Sequence, residues 1–368
     1  MNARTIGLSV TFMAFSLPLV TAGIWADQST VQERAQRIAE RYLLADTHID
    51  VPYRLEEAWV DVSVSAPDGQ FDYPRSVKGG LNLPFMSIFT PAKMEEEGGS
   101  FQLANQLIDS VEAIVARAPE KFMLVYSPAD AVKAMESGRV GLAMGMENGS
   151  PIDHKIENIR FFADRGIRYI TLAHGLSNHI CDSSYDENRP WGGLSPFGIE
   201  VVREMNRIGI MVDISHVSDE AFWQILKISR APVIASHSSA RKFTPGFERN
   251  MSDDMIVALG KSGGLVQINW GSSFVTEEAN AYSEKRREER DAWLNEHGYE
   301  SGGPEAKKWS EEYRKSHPFP YATLAQTVDH FDHVIKLAGV DHVGIGSDFD
   351  GVGDSLPIGL KDVSEYPN

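Results

Sequence analysis

Val140-Gly-Leu-Ala-Met-Gly-Met-Glu147 is a run of seven uncharged, mostly apolar residues closed by a carboxylate. A strand with one wet face would place a polar residue at every second position, and this one places none before its last. Such continuity marks a strand of a parallel sheet, covered by helices on one side and by the interior on the other. Seven further short apolar runs follow the same plan, at Tyr42–Ala45, Leu81–Phe89, Ile167–Ala173, Ile208–Ile214, Pro232–Ala235, Gly264–Asn269 and His342–Gly346.

Helix-period segments separate them. Phe101–Arg117 carries Leu103, Leu107, Val111, Ile114 and Val115 on one stripe. Ser195 before Pro196, Ser218, Ser252 and Thr323 each stand where a helix needs a side-chain cap, and Gly166, Gly209 and Gly339 stand where helices stop. Strand–helix alternation repeated eight times predicts an α/β fold, a (β/α)8 TIM-type barrel. Periodicity alone leaves an open doubly wound sheet as the alternative. Glu277 to Lys315, dense in Glu, Lys and Arg, breaks the rhythm between the seventh and eighth runs and reads as a solvated helical insertion at the rim.

The N-terminus is of another kind. Arg4 precedes an uncharged run from Thr5 to Ala26 that ends in small residues, the pattern of a secretory signal. We therefore expect residues 1–26 to be a signal peptide and 27–368 a single exported domain, periplasmic or extracellular. No other stretch reaches the ~18 apolar residues of a membrane span.

Composition narrows the chemistry. Of 368 residues, 42% are hydrophobic and 24% charged, which is ordinary for a packed domain. Lys and Arg total 35 against 52 Asp and Glu, a net charge of −17 that argues against a nucleic-acid partner. The single cysteine, Cys181, excludes an internal disulfide, a zinc finger and an iron–sulfur cluster, and reads as a buried filler. Any metal must be held by histidine and carboxylate.

Those residues fall at the strand ends. The runs close in Asp46-Thr-His48-Ile-Asp50, Gly145-Met-Glu147, Leu172-Ala-His174, Asp213-Ile-Ser-His216, Ser236-His237 and Gly346-Ser-Asp348-Phe-Asp350. In a parallel barrel these ends meet at one mouth. Gathering that many ionisable groups there costs several kcal/mol per group unless a cation balances them. They exceed what one tetrahedral zinc takes, so we expect two metals, with Glu147 attractive as the shared ligand. Imidazole with carboxylate favours Zn²⁺, and Mn²⁺ and Co²⁺ suit the same ligand types. Asp213, three residues before His216, is a candidate to orient a ligand from behind. His154, His179, His297, His317, His330, His333 and His342 read as surface or structural, without convergent partners.

In order, these motifs resemble the membrane (renal-type) dipeptidase family of zinc metallopeptidases, a branch of the amidohydrolase-like barrels. Gly145-Met-Glu-Asn-Gly149, Asp213-Ile-Ser-His-Val-Ser218, Ser236-His-Ser-Ser-Ala240, Arg249-Asn250 with Asp253-Asp254, and Gly346-Ser-Asp-Phe-Asp-Gly351 carry the likeness together with the runs around His48 and His174. The resemblance implies that His48, Asp50 and Glu147 hold one zinc, and Glu147, His216 and His237 the other. It further implies that His174 binds the scissile carbonyl, Arg249 the substrate carboxylate, and that Asp348 shuttles the proton. The substrate it implies is a dipeptide with a free C-terminus, cut by a hydroxide bridging the two ions.

Two departures stand out. The animal enzymes place a substrate-contacting tyrosine after the Asn269-Trp270 pair, where this chain has Gly271. Relatives also continue through a closing helix beyond the eighth strand, so a C-terminally incomplete product is an expectation. The alternatives are a binuclear amidohydrolase acting on another amide (an N-acyl-amino acid, a β-lactam or a D-residue peptide) and an inactive secreted binding protein. Oligomeric state, a homodimer included, is left open.

Overall fold

The computed structural model describes residues 29–300 and 303–368, so the expected signal segment lies outside the described residues. Nine strands appear in chain order: β1 (Leu44–Ile49), β2 (Leu81–Phe89), β3 (Phe122–Leu124), β4 (Val140–Glu147), β5 (Ile167–Thr171), β6 (Met211–Asp213), β7 (Ile234–Ala235), β8 (Leu265–Ile268) and β9 (Val343–Ile345). Every pairing is parallel. The sheet runs β2-β1-β9-β8-β7-β6-β5-β4, and β2 also pairs with β4 through Phe85–Phe89 and Ala143–Glu147. That last pairing closes eight strands into a barrel and removes the open-sheet alternative.

β3 is the ninth strand and stands outside the ring. It pairs only with the first half of β4, Val140–Leu142. Three residues are too few to show a period, so the sequence did not mark it. Other runs shrink for a specific reason. Ile208 ends the helix Pro196–Ile208, and Gly209 stops it at φ +85, so the fifth run contributes only Met211–Asp213 as strand. Tyr42 likewise caps the helix Val31–Arg41.

The expected caps form. The side chains of Ser195, Ser218, Ser252 and Thr323 accept from backbone amides of the first turns of their helices, worth about 1 kcal/mol each. The helix Ser100–Arg117 buries Ala104, Leu107, Ile108, Val111 and Ile114 against the barrel. β4 is buried along its whole length. Between β8 and β9 the chain runs through the helices Glu277–His297 and Pro304–Ser316. Among the described residues no helix is long and apolar enough to cross a membrane.

After β9 the chain returns to the barrel in turns. Leu356, Leu360 and Val363 are buried, and the carbonyl of Val363 occupies the space a side chain would need at Gly79. The Tyr366 hydroxyl donates to Asp46 Oδ2 at the start of the first polar motif.

Candidate metal centre

A parallel barrel brings the C-terminal ends of its strands to one rim, and the chain has loaded that rim. β1 ends beside Asp50, β4 ends in Glu147, and the turns after β5, β6, β7 and β9 carry His174, His216, His237 and Asp348. Four of the residues around this rim hold left-handed backbone without being glycine: Asn148 at φ +80, His216 at +72, Asp348 at +63 and Asp350 at +66. Each costs of order 1 kcal/mol, strain that persists only where the surroundings fix it.

Glu147 is the hub. Its Oε1 lies 3.0 Å from His216 Nε2, 3.2 Å from His237 Nε2 and 3.6 Å from His174 Nε2. Its Oε2 lies 3.4 Å from His48 Nε2, which is also 3.5 Å from Asp50 Oδ2. Four ligand-type side chains thus surround one carboxylate, and Asp348 joins His48 and Asp50 in a further group.

The hydrogen bonds behind the imidazoles decide which nitrogen carries the proton. The Tyr169 hydroxyl donates to the carbonyl of Thr47 at 2.9 Å, so it accepts from His48 Nδ1, also at 2.9 Å. Ser236 Oγ donates to Asp213 Oδ2 at 2.6 Å, so it accepts from His237 Nδ1 at 2.7 Å. As a neutral ring, each therefore turns an Nε2 lone pair toward Glu147. Burial opposes a charge on His48, but Tyr169, Glu147 and Asp50 hold it well above the usual imidazole range, so with no cation beside it that lone pair takes a proton. His48 Nε2 is buried without a hydrogen-bond partner, and His216 and His237 bring their Nε2 atoms to 2.9 Å. Acceptors crowded on acceptors need cations between them. The donor set fits a divalent metal: ligand atoms converge in the groups His48, Glu147 and His237; Glu147, His174 and His216; and His48, Asp50 and Asp348.

Glycines keep the space open. A side chain at Gly351 would lie 2.2 Å from both Asp348 Oδ1 and Asp50 Oδ2. One at Gly145 would lie 2.0 Å from the Tyr169 ring that sits beside it across the β4–β5 pair.

With only protons to balance these charges, the groups divide sharply. Burial, with the Arg249 and His174 charges, pushes His216 well below the usual imidazole range; burial, His48 and Arg249 do the same to His237. Burial opposes the charge on Glu147, yet His48, His174 and the ligand histidines hold it well below the usual carboxylate range. Burial and the nearby Asp50 push Asp348 the other way, up to about 8. Two carboxylates of opposite inclination at one rim are an acid–base pair.

Above the hub lies a cavity of about 510 Å³ lined by Tyr53, Phe89, His174, Tyr185, Phe274 and Asp348 among others. His174 keeps a quarter of its side chain exposed there. Arg249 does not line this wall. It is buried below Phe274, with its Cζ 5.4 Å from the ring centroid, and donates to Ser238 Oγ and the His237 carbonyl at 2.6 and 2.8 Å. Its Nε is left without a partner.

Comparison with known proteins gives the family. The model of the membrane dipeptidase family, peptidase family M19, matches residues 32–368. The chain belongs to that family. An uncharacterized dipeptidase of Schizosaccharomyces pombe is 30% identical over 370 residues, covering 95% of this chain and 78% of that protein. The crystal structure of the probable dipeptidase PvdM from Pseudomonas aeruginosa superposes with a TM-score of 0.78 at 27% identity, over 92% of this chain and 90% of the other. A metallo peptidase from Rhodobacter sphaeroides, liganded with a phosphinate mimic of the dipeptide L-Ala-D-Ala, shares the fold with a TM-score of 0.70 at 22% identity, over 88% and 90% of the two chains.

Within this membrane dipeptidase family member, several site residues had no signal in the metal motifs. Tyr169 orients His48, and Asn269 donates to Asp348 Oδ2 at 2.7 Å. The period-2 placement of Tyr169 and Thr171 in β5 points both inward, and a buried hydroxyl demands a partner. Gly271 is confined between Val352 and Phe274, each about 3 Å from where a side chain would begin, so Tyr185 and Phe274 form the aromatic wall instead.

The seven histidines read as surface or structural all have hydrogen-bond or ring partners, and the reading is corrected only for His154 and His179, which converge with Glu95. His179 pairs with Glu95 at 2.7 Å beneath the ring of His154. His330 bridges the Ala240 amide and the Val275 carbonyl, each at 3.0 Å, and His333 pairs with Asp253 at 2.7 Å. All tie loops to the barrel, away from Glu147.

Proposed function

We propose that this chain is a zinc-dependent dipeptidase, hydrolysing dipeptides with a free C-terminal carboxylate at a centre of two ions bridged by Glu147. The observation that carries the reading is the set of Nε2 atoms of His48, His216 and His237 aimed at one buried carboxylate, those of His48 and His237 with the ring proton held on the opposite nitrogen. Two divalent ions held there would supply Lewis-acid activation of water and of the scissile carbonyl.

The protein's own groups do the rest. Asp348, its Oδ2 held by Asn269, takes the proton from the attacking water and passes it to the leaving amine. Cations beside it would lower the value of about 8 that burial and Asp50 impose and so leave it ionised for that step. His174, kept neutral by burial, reaches into the cavity and donates to the oxygen that gains charge at the reacting carbonyl. Arg249 has an unused Nε–H beneath Phe274, a residue of the cavity wall, and would anchor the substrate carboxylate once that ring moves aside. Phe89, Phe274 and Tyr185 cover the centre and limit access by water. The same reading includes export, argued from the N-terminal sequence alone.

Incubation with a panel of L–L and L–D dipeptides, read as release of free amino acids, tests this. Turnover of dipeptides, with none of the corresponding dipeptide amides, is the expected result. Cleavage of N-acyl-amino acids or β-lactams with no dipeptide turnover would replace it with the other-amide reading.

A further inference from the structure

A second chamber of about 420 Å³ opens beside the first, and Tyr185 and Ser273 line both. Its far wall is the helix Glu277–His297, which presents Arg286, Arg287 and Arg290 within five positions. In a chain of net charge −17 such a wall needs a reason. Arg290 is held by Asp291 at 2.7 Å, but Arg286 and Arg287 have no carboxylate partner among the described residues.

The neighbouring acids are mostly engaged elsewhere. Glu248 binds Arg189 at 2.6 Å, and Glu289 reaches Lys285 at 3.8 Å. Glu284, exposed on the same wall, leaves the arginines in excess. Arg286 is half-buried beside Arg290 and Arg314; burial first, then those charges, disfavour its own. An anion placed among them would relieve that repulsion.

The chamber's position says which part of a substrate enters it. Gly246, Phe247 and Glu248 line it and lead directly to Arg249, the proposed carboxylate anchor. Phe247 packs on Phe274 with ring centroids 5.6 Å apart, and Phe274 covers the Arg249 guanidinium. Because Tyr185 and Ser273 line both cavities, a substrate in the first has this chamber beside it, on the side where Phe247 packs on the ring that covers Arg249.

We infer that the arginine-lined chamber is a specificity subsite for an anionic side chain on the C-terminal residue, so that dipeptides ending in aspartate or glutamate are preferred substrates. This rests on the dipeptidase reading and goes on to name its substrate class. Arg286 and Arg287 act on binding, not on the chemical step, so the preference resides in KM. Exposed arginines are screened by salt, so the preference shrinks as ionic strength rises.

The test compares Ala-Glu with Ala-Gln, and Ala-Asp with Ala-Asn, pairs nearly identical in shape and different in charge. Wild-type protein is expected to favour each acid by about 10-fold or more in kcat/KM at low salt. The double variant Arg286→Gln, Arg287→Gln is expected to lose that preference while keeping its kcat/KM on Ala-Gln, which also shows that it is folded. Turnover of Ala-Gln with no advantage for Ala-Glu would overturn this inference alone. Equal loss on both substrates in the double variant would make the arginines structural and also overturn it. Failure of the wild-type protein to hydrolyse any of the four would overturn the dipeptidase reading and this subsite with it.

Discussion

His216 and His237 face each other through their Nε2 atoms at 2.9 Å, with Glu147 Oε1 about equally close to both. The Ser236–Asp213 relay fixes the proton of His237 on the opposite nitrogen, so His237 offers only a lone pair in this contact, and His216, whose Nδ1 has no hydrogen-bond partner among the described residues, is the one ring that could donate. It is a pair of ligands converging on a point beside a carboxylate. The consequences can be measured residue by residue.

Glu147→Gln removes the charge that both ions of the proposed centre would share. We expect the variant to bind far less metal than wild type, by elemental analysis of dialysed protein, with an unchanged circular dichroism spectrum. Equal metal content would deny Glu147 its bridging place.

Asp348→Asn keeps the shape and the Asn269 contact but cannot move a proton. The expected loss in kcat is about 10²–10⁴-fold with full metal content, because general base catalysis is worth that much. A variant within threefold of wild type would remove Asp348 from the chemistry.

Tyr169→Phe leaves the His48 Nδ1 proton without an acceptor and frees the ring to turn. Metal affinity is expected to fall about 10–100-fold, read by competition with a chromogenic chelator. Gly351→Ala acts from the other side, driving a methyl into the carboxylates of Asp50 and Asp348. It should lose activity even when metal is supplied in excess.

Stability should depend on pH through His330. Burial depresses its pKa to about 4, and Nδ1 accepts from the Ala240 amide, so the folded protein needs the neutral ring. The unfolded chain binds the proton at a pKa of ~6.5. The sign follows: the contribution is complete above pH ~6.5 and is lost as the pH falls toward 4, by at most about 3 kcal/mol. His330→Gln should reduce the slope of unfolding free energy against pH between 4.5 and 6.5 by about one proton. An unchanged slope would contradict the assignment.

Much of this was legible in the sequence because barrel strands announce themselves as apolar runs that end in chemistry. Glu147 closes β4, and His48, His174, His216, His237 and Asp348 follow the same rule at the other strand ends. The sequence could not show closure, which rests on the β2–β4 pairing, nor the three-residue β3. It also missed Tyr169 and Asn269, whose roles depend on what lies across a strand pair rather than along one. Asp213 was recognisable by its place in its motif, but only the fold reveals that it works through Ser236. The partners of His179, His330 and His333 escaped notice because Glu95, Ala240, Val275 and Asp253 lie between 55 and 90 residues away along the chain.

The account stands on cations balancing the groups around Glu147. Metal quantitation on purified protein, before and after chelation and paired with a dipeptide assay, tests that directly. Two equivalents per chain are predicted, with activity lost on their removal and restored by Zn²⁺. Full dipeptide turnover by protein stripped of metal would contradict it.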